Sequence, residues 1–441
     1  MNVEASLPHV SNEYGRLQSV LMKPPGLEAT KRTDHWAFDM ASFPGVTYNR
    51  LGEGATTEHA QLVDLLESQG VQVVNVLDEV DAALDVAKSK GILDGFLTEH
   101  FPVLRRLSRR DRNDLAAVDI YGGGKYNYAT HGVAPMPFSD YTRDPLVITP
   151  DGVLVARLFG QTRGKEPVLM RFMFDNSPHL QGHKVIYDAT AQENGPYFEG
   201  GDTSVFDQNT IVMGVGGASE PRAAEEIATA TGMDVMAVKT AELPESFLPI
   251  ISNVGLHLDA LLTIVSNDLA FATPYFLENE FGPGPFYAFI DRYVALAKEE
   301  GLSNEQIENL LAARARMPED IGMVTIYEGG SGRKRETGQR LVTHLREERG
   351  MTVGYTAGKP EEDPRDQVEH LVYGGVFDAS RFLIANGLSI APNHFVGPSD
   401  DAGAFHEALR RKGVQVDGIS LAELRKGGGA VHCLTAPLKR A

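Results

Sequence analysis

Thr203-Ser-Val-Phe-Asp-Gln-Asn-Thr-Ile-Val-Met213, followed by Pro221–Thr231 and Asp234-Val-Met-Ala-Val238, decides the fold. Two apolar, β-branched runs flank a polar turn, a helix-period segment follows, and a third apolar run closes the stretch. The spacing predicts a hairpin (Thr203 to Phe206 with Thr210 to Met213), a helix and a strand.

Outward from this unit the pattern recurs. Leu146 to Thr149 and Val153 to Ala156 form a hairpin around Pro150-Asp-Gly152, with a helix at Glu166 to Phe174 and a strand at Lys184 to Tyr187. Ala260 to Val265 and Leu269 to Ala272 form another around Asn267-Asp268. A helical stretch from Pro285 to Arg316, broken at Gly301, and the strand Met323 to Tyr327 follow it. Arg381 to Ala385 and Leu388 to Ile390 read as a hairpin at Asn386-Gly387, with a helix at Ala402 to Lys412 and a strand at Val414 to Ile419. Near the N-terminus, strand Leu17 to Met22, helix Thr57 to Gln69 and strand Val71 to Val76 give an α/β beginning. The repeat is one of architecture, not of sequence identity, and such units close well around a central axis. Residues 79–128 break the pattern: charged, leucine-rich and helical in period, they read as an inserted helical segment. Glu28 to Gly54 has weak periodicity and reads as a long loop, suited to a lid.

Composition narrows the classes. A net charge of −19 argues against nucleic acid or an anionic membrane as partner and is compatible with a cationic substrate. The single cysteine excludes an intrachain disulfide framework and a cysteine-based zinc site. With no apolar stretch long enough to span a bilayer and no secretory leader pattern, the expected location is the cytoplasm.

Chemistry-bearing residues stand at equivalent places in the repeats. Tyr141-Thr-Arg-Asp-Pro145, Glu199-Gly-Gly-Asp202 and His257-Leu-Asp259 each precede a hairpin, and Gly427-Gly-Gly-Ala-Val-His-Cys433 lies close to the end of the chain. Taken singly, Asp144 reads as a turn or N-cap residue, His257 as a core histidine and Cys433 as a buried thiol. Together, a cysteine, a histidine and several carboxylates at repeat-equivalent positions point to one converging site.

On these residues the sequence resembles the guanidino-group modifying superfamily, and is closest to arginine deiminase. Glu13-Tyr-Gly-Arg-Leu-Gln-Ser-Val-Leu-Met22 resembles the family's opening strand, and the four motifs follow in the family's order. The resemblance implies one catalytic domain over 1–441, folded as a five-bladed pseudo-symmetric α/β propeller (a pentein), with the helical subdomain at 79–128 inserted into it. It implies Cys433 as nucleophile, His257 as general acid and then base, and Glu199 as the residue orienting His257. Asp144 and Asp259 are then the carboxylates gripping a guanidinium, with Arg163 placed to contact a substrate carboxylate. The implied substrate is a small cationic guanidino compound. No metal or organic cofactor is implied, and a homo-oligomer is compatible with it.

Physical chemistry supports that assignment. A guanidinium carbon is a poor electrophile because its charge is delocalised, and two carboxylates can fix its planar donor fork in bidentate pairs. A thiolate is the matching nucleophile. The motifs alone leave two acceptors open, water for a deiminase and an amine for an amidinotransferase. Two substitutions also depart from deiminases of free arginine: Ala218 stands where they carry an arginine, and Phe138 where they carry an asparagine. Lys426 before the glycines and Ala430-Val431 after them resemble agmatine deiminases and amidinotransferases.

Overall fold

The computed structural model describes residues 9–31, 53–180, 182–240, 257–272, 319–356, 383–400 and 402–441, with isolated positions between 291 and 312. In chain order the strands are β1 (Leu17–Met22), β2 (Gln72–Asn75), β3 (Leu146–Ile148), β4 (Val153–Val155), β5 (Val185–Asp188), β6 (Thr203–Asp207), β7 (Thr210–Val215), β8 (Asp234–Lys239) and β9 (Leu262–Ile264). They continue with β10 (Leu269–Ala272), β11 (Met323–Tyr327), β12 (Lys334–Arg340), β13 (Thr352–Tyr355), β14 (Leu388–Ala391), β15 (His394–Pro398), β16 (Gln415–Ile419) and β17 (Ala436–Arg440).

Among the described residues these strands form five sheets with one recurring order. In each, a central strand pairs antiparallel with one neighbour and parallel with a strand that returns later. The triplets are β3–β4–β5, β6–β7–β8, β9–β10–β13, β14–β15–β16 and β17–β1–β2. The last joins the C-terminal strand to the N-terminal one: Val20 faces Pro437 across that pair. Parallel pairing needs a crossover, and helices supply it at Glu53–Ser68, Lys165–Asn176, Pro221–Thr231 and Gly403–Arg411, with Leu341–Glu347 leading into β13. Pro221 opens one such helix, where its missing N–H costs nothing, and Gly232 stops it at φ 73°. Strands such as β7 are buried along their whole length, so they read as continuous apolar runs.

The structure corrects several expectations. Met323–Tyr327 does not complete the third unit. It turns back antiparallel onto β8, and β13 takes the expected place beside β10. Lys334–Arg340, a polar segment without strand periodicity, pairs with β11. The glycine-rich segment between these two strands is closed by Arg333, which donates to Glu328. Leu383–Ala385 is a 3-10 turn, not a strand; the hairpin runs from β14 to β15, turning at Asn393 with φ 57°. Val76 leaves the strand and starts the helix Val76–Lys90, because Asn75 caps it through the Leu77 N–H at 3.0 Å. Helices continue to Tyr128–His131 across the expected insertion. The helical stretch expected at 285–316 and most of the loop at 28–54 lie outside the described residues. No helix among the described residues is long and apolar enough to cross a membrane.

Candidate active site

Five loops lie ahead of β3, β6, β9, β14 and β17, and each carries a residue of one cluster, buried except for the partly exposed His257: Asp144, Glu199 with Asp202, His257 with Asp259, Asn386, and His432 with Cys433. The shared place in each sheet explains how positions far apart in sequence meet.

His257 joins two of the loops. Its Nε2 lies 2.9 Å from Glu199 Oε2, and its Nδ1 lies 3.8 Å from Asp144 Oδ1. Gly201 makes this approach feasible, since a Cβ there would sit 2.4 Å from His257 Nδ1. Glu199 is held in turn by the Phe159 N–H at 2.9 Å. Burial opposes the charge on His257, yet the Asp144 charge and hydrogen bonds to Cys433 and Glu199 hold its imidazolium well above the usual histidine range. Burial likewise opposes the Glu199 charge, but the His257 hydrogen bond and charge keep it below the usual carboxylate range.

Cys433 is buried, with its Sγ 3.6 Å from Asp259 Oδ2. Burial pushes the thiol up to about 12, and the Asp259 charge adds to the push while His257 opposes it. The Cys433 backbone is pinned from two sides: its N–H donates to Asn386 Oδ1 at 3.2 Å, and its carbonyl accepts from Arg143 N at 3.2 Å. Asn386 Oδ1 also accepts from Ala430 N at 3.0 Å, and the Asn386 carbonyl accepts from His432 N at 3.2 Å. Tyr141 Oη accepts from Gly429 N at 3.1 Å, steadying the glycine run.

Arg163 is buried against Asp144. Nη1 donates to Asp144 Oδ2 at 2.6 Å, Nε and Nη2 donate to Glu166, and Nη2 also donates to the Phe138 carbonyl at 3.3 Å. Phe138 and Ala218, the two departures noted in the sequence, are both buried. Burial raises Asp144 above the usual carboxylate range, opposed by Arg163 and His257. Asp259 lies below that range: burial opposes its charge, and the His432 hydrogen bond and charge outweigh it.

Two buried oxygens of this cluster, Asp144 Oδ1 and Asp259 Oδ1, have no hydrogen-bond partner among the described residues. A buried acceptor left unpaired costs about 1–3 kcal/mol, so such oxygens mark a place suited to a donor-rich cation. Ligand atoms of Asp144, Glu199 and His257 also lie within 4.8 Å of one another, a spacing that a metal ion can bridge.

Sequence reasoning missed Glu13, Asn386 and the structural part played by Asp202. The last bridges two motifs, accepting from Leu258 N at 3.0 Å and from Ser219 Oγ at 2.6 Å. Asn386 stands in the place equivalent to the other motifs, a signal that the misread hairpin at 381–390 concealed.

The class of protein that emerges is an α/β chain with a buried cysteine, histidine and carboxylate cluster at the mouths of repeated sheets. Comparison with known proteins gives the particular likeness. Residues 98–311 match the family model "Arginine deiminase". The chain is similar to the arginine deiminase of Metamycoplasma arthritidis, 27% identical over 287 residues that cover 60% of this chain and 67% of that protein. It is similar to the arginine deiminase of Oenococcus oeni over the full length, 23% identical with 100% of this chain and 99% of that protein covered. Among solved structures it is similar to a dimethylarginine dimethylaminohydrolase of Pseudomonas aeruginosa, with 12% identity and a TM-score of 0.47 over 96% of this chain and 99% of that one.

Proposed function

We propose that this protein is a cysteine-dependent hydrolase of the arginine deiminase kind, acting on the C–N bonds of a linear amidine. The reading takes a small guanidino compound, L-arginine or a relative, to a ureido product and ammonia. The observation that carries it is the cluster of Cys433, His257, Glu199, Asp144 and Asp259, with one oxygen on each aspartate that has no hydrogen-bond partner among the described residues.

In this mechanism Asp144 and Asp259 receive N–H groups of the guanidinium through those oxygens. Between turnovers the thiol stays protonated, because burial and two nearby carboxylates disfavour the thiolate. Binding the cation neutralises that field and favours the thiolate, the thiol proton leaving to solvent as the substrate enters, so the nucleophile is generated where the electrophile sits. The sulfur attacks the guanidinium carbon, forming a C–S bond. Imidazolium His257 protonates one departing NH₂, the C–N bond breaks and ammonia leaves, giving a covalent thiouronium. His257 then takes a proton from water, whose oxygen attacks the same carbon. The C–S bond breaks, the electron pair returns to sulfur, which takes up the remaining O–H proton to restore the thiol, and the ureido product is released.

Glu199 keeps the His257 ring oriented. Arg163, most of whose donors go to Asp144, Glu166 and Phe138, serves in this reading to fix Asp144, leaving one Nη1 N–H for a substrate carboxylate. The five sheets of matching strand order support the further reading that 1–441 is one catalytic domain, a five-bladed α/β propeller closed by β17 and β1, with a helical subdomain inserted at 79–128. The protein is taken to act in the cytoplasm, without metal or organic cofactor.

The test is product analysis with L-arginine, agmatine and other guanidino compounds, with and without glycine or lysine as an amine acceptor. Ammonia and a ureido product formed in equal amounts without added amine support the hydrolase. Product that forms only with the amine present makes the protein an amidinotransferase, and no product with any compound overturns the reading.

A further inference from the structure

Glu13 lies in the N-terminal segment ahead of β1, yet it is buried in the middle of the candidate site. Its Oε1 lies 3.0 Å from His432 Nε2 and accepts from Arg143 Nη2 at 2.9 Å, and Arg440 Nη2 stands 3.7 Å away. The other ring nitrogen of His432, Nδ1, lies 2.8 Å from Asp259 Oδ2. The two carboxylates thus share one imidazole. Glu13, Arg143, His432 and Asp259 are all buried, so bulk solvent screens the network little. Burial opposes the Glu13 charge, but Arg143 and His432 hold it well below the usual carboxylate range.

A buried carboxylate costs several kcal/mol unless it is paired. The partners of Glu13 include the residue before Asp144 and the residue before Cys433. The chain Arg143–Glu13–His432–Asp259 thus ties the loops ahead of β3, β9 and β17 together. Its far end commits Asp259 Oδ2 to His432, leaving Oδ1 without a hydrogen-bond partner among the described residues.

We propose that Glu13 is a positioning residue for substrate binding: through His432 it fixes Asp259 so that Oδ1 is held ready for a guanidinium N–H. Sequence position alone gives no hint of this, since 419 residues separate Glu13 from His432. The inference rests on the guanidino-hydrolase reading above.

The experiment compares Glu13→Gln with the native residue in two settings. With Cys433→Ala present, calorimetric titration with L-arginine and agmatine reads binding without turnover; with Cys433 intact, steady-state kinetics reads KM and kcat separately. Glu13→Gln is expected to raise both the Kd and KM by about tenfold or more, the scale on which a displaced supporting group is felt, with a smaller change in kcat. Unchanged Kd and KM in a folded Glu13→Gln protein overturn the proposal, as does a lowered melting temperature with kinetics intact. If Glu13→Gln does not fold, His432→Gln is read by the same criteria, and failure of both to fold assigns Glu13 to the architecture alone. Absence of any guanidino binding by the Cys433→Ala protein overturns the underlying reading. Binding that is equal with and without Glu13 overturns only this one.

Discussion

Replacing Asn386 with alanine perturbs Cys433, the proposed nucleophile, through its backbone N–H alone. Asn386 Oδ1 is the acceptor for Ala430 N at 3.0 Å and Cys433 N at 3.2 Å, and all three residues are buried. Alanine leaves two N–H groups without that acceptor, in a place bulk water does not reach. At about 1–3 kcal/mol for each stranded donor, Asn386→Ala is expected to cost about 2–6 kcal/mol of folding stability. The same change frees the Cys433 loop, and a shift of about 1 Å at a reacting group costs on the order of 10²-fold in rate. Urea unfolding followed by circular dichroism measures the first effect, and kcat/KM with whichever guanidino compound the product analysis shows to be turned over measures the second. Asn127→Ala is the control. Asn127 Oδ1 also accepts a backbone N–H, from Thr130 at 3.1 Å, but at the exposed start of the helix Tyr128–His131. It is expected to cost about 1 kcal/mol and leave activity intact. If Asn386→Ala is no more destabilising than Asn127→Ala and turns over at the native rate, the account of how the cysteine is held is wrong.

Three further perturbations probe other parts of the cluster. Gly201→Ala would place a Cβ 2.4 Å from His257 Nδ1 and is expected to abolish turnover while far-ultraviolet circular dichroism stays native. Full activity in this variant would mean that His257 is not held where described. Asp202 is pushed up to about 7, chiefly by burial, against about 4 for an aspartate in the unfolded chain. The folded state therefore binds the extra proton between those values, so this contribution is fully present below about pH 4 and is lost as pH rises through about 7. Relative to Asp202→Asn, native stability is expected to fall by up to about 1.4 kcal/mol per pH unit within that window, and parallel stability curves would refute it. Exhaustive dialysis against a chelator is expected to leave turnover unchanged. Loss that is restored by one divalent metal would reassign Asp144, Glu199 and His257 as ligands.

Strands carried by local pattern were legible in the sequence. β7 and β8 are apolar runs bounded by turn residues, and the helix Pro221–Thr231 is punctuated by proline and glycine. β12 was not legible, because Lys-Arg-Glu-Thr-Gly-Gln-Arg has no apolar face and owes its conformation to pairing with β11. Leu383–Ala385 misled for the opposite reason: a short apolar run fits a buried 3-10 turn as well as a strand. The turn Leu258–Ala260 ahead of β9 is its counterpart. In the cluster, Cys433, His257, Glu199, Asp144 and Asp259 were singled out because their residue types stood in distinctive motifs. Glu13 and Asn386 sit in Asn-Glu-Tyr-Gly and Ala-Asn-Gly contexts that look like ordinary turns. Their places emerge only from tertiary contacts, and Asn386 reaches Cys433 across 47 residues.

The measurement that tests the central claim most directly is intact-protein mass spectrometry of rapidly quenched turnover mixtures, with L-arginine, agmatine and other guanidino compounds offered in turn and Cys433→Ala as control. The account predicts an adduct on Cys433 that retains the substrate's side chain after loss of ammonia, decays to a ureido product in water, and never forms on Cys433→Ala. An adduct holding only the amidino group and discharged by an added amine would instead mark an amidinotransferase. No adduct with any compound, together with turnover undiminished in Cys433→Ala, would contradict the account of Cys433 as nucleophile.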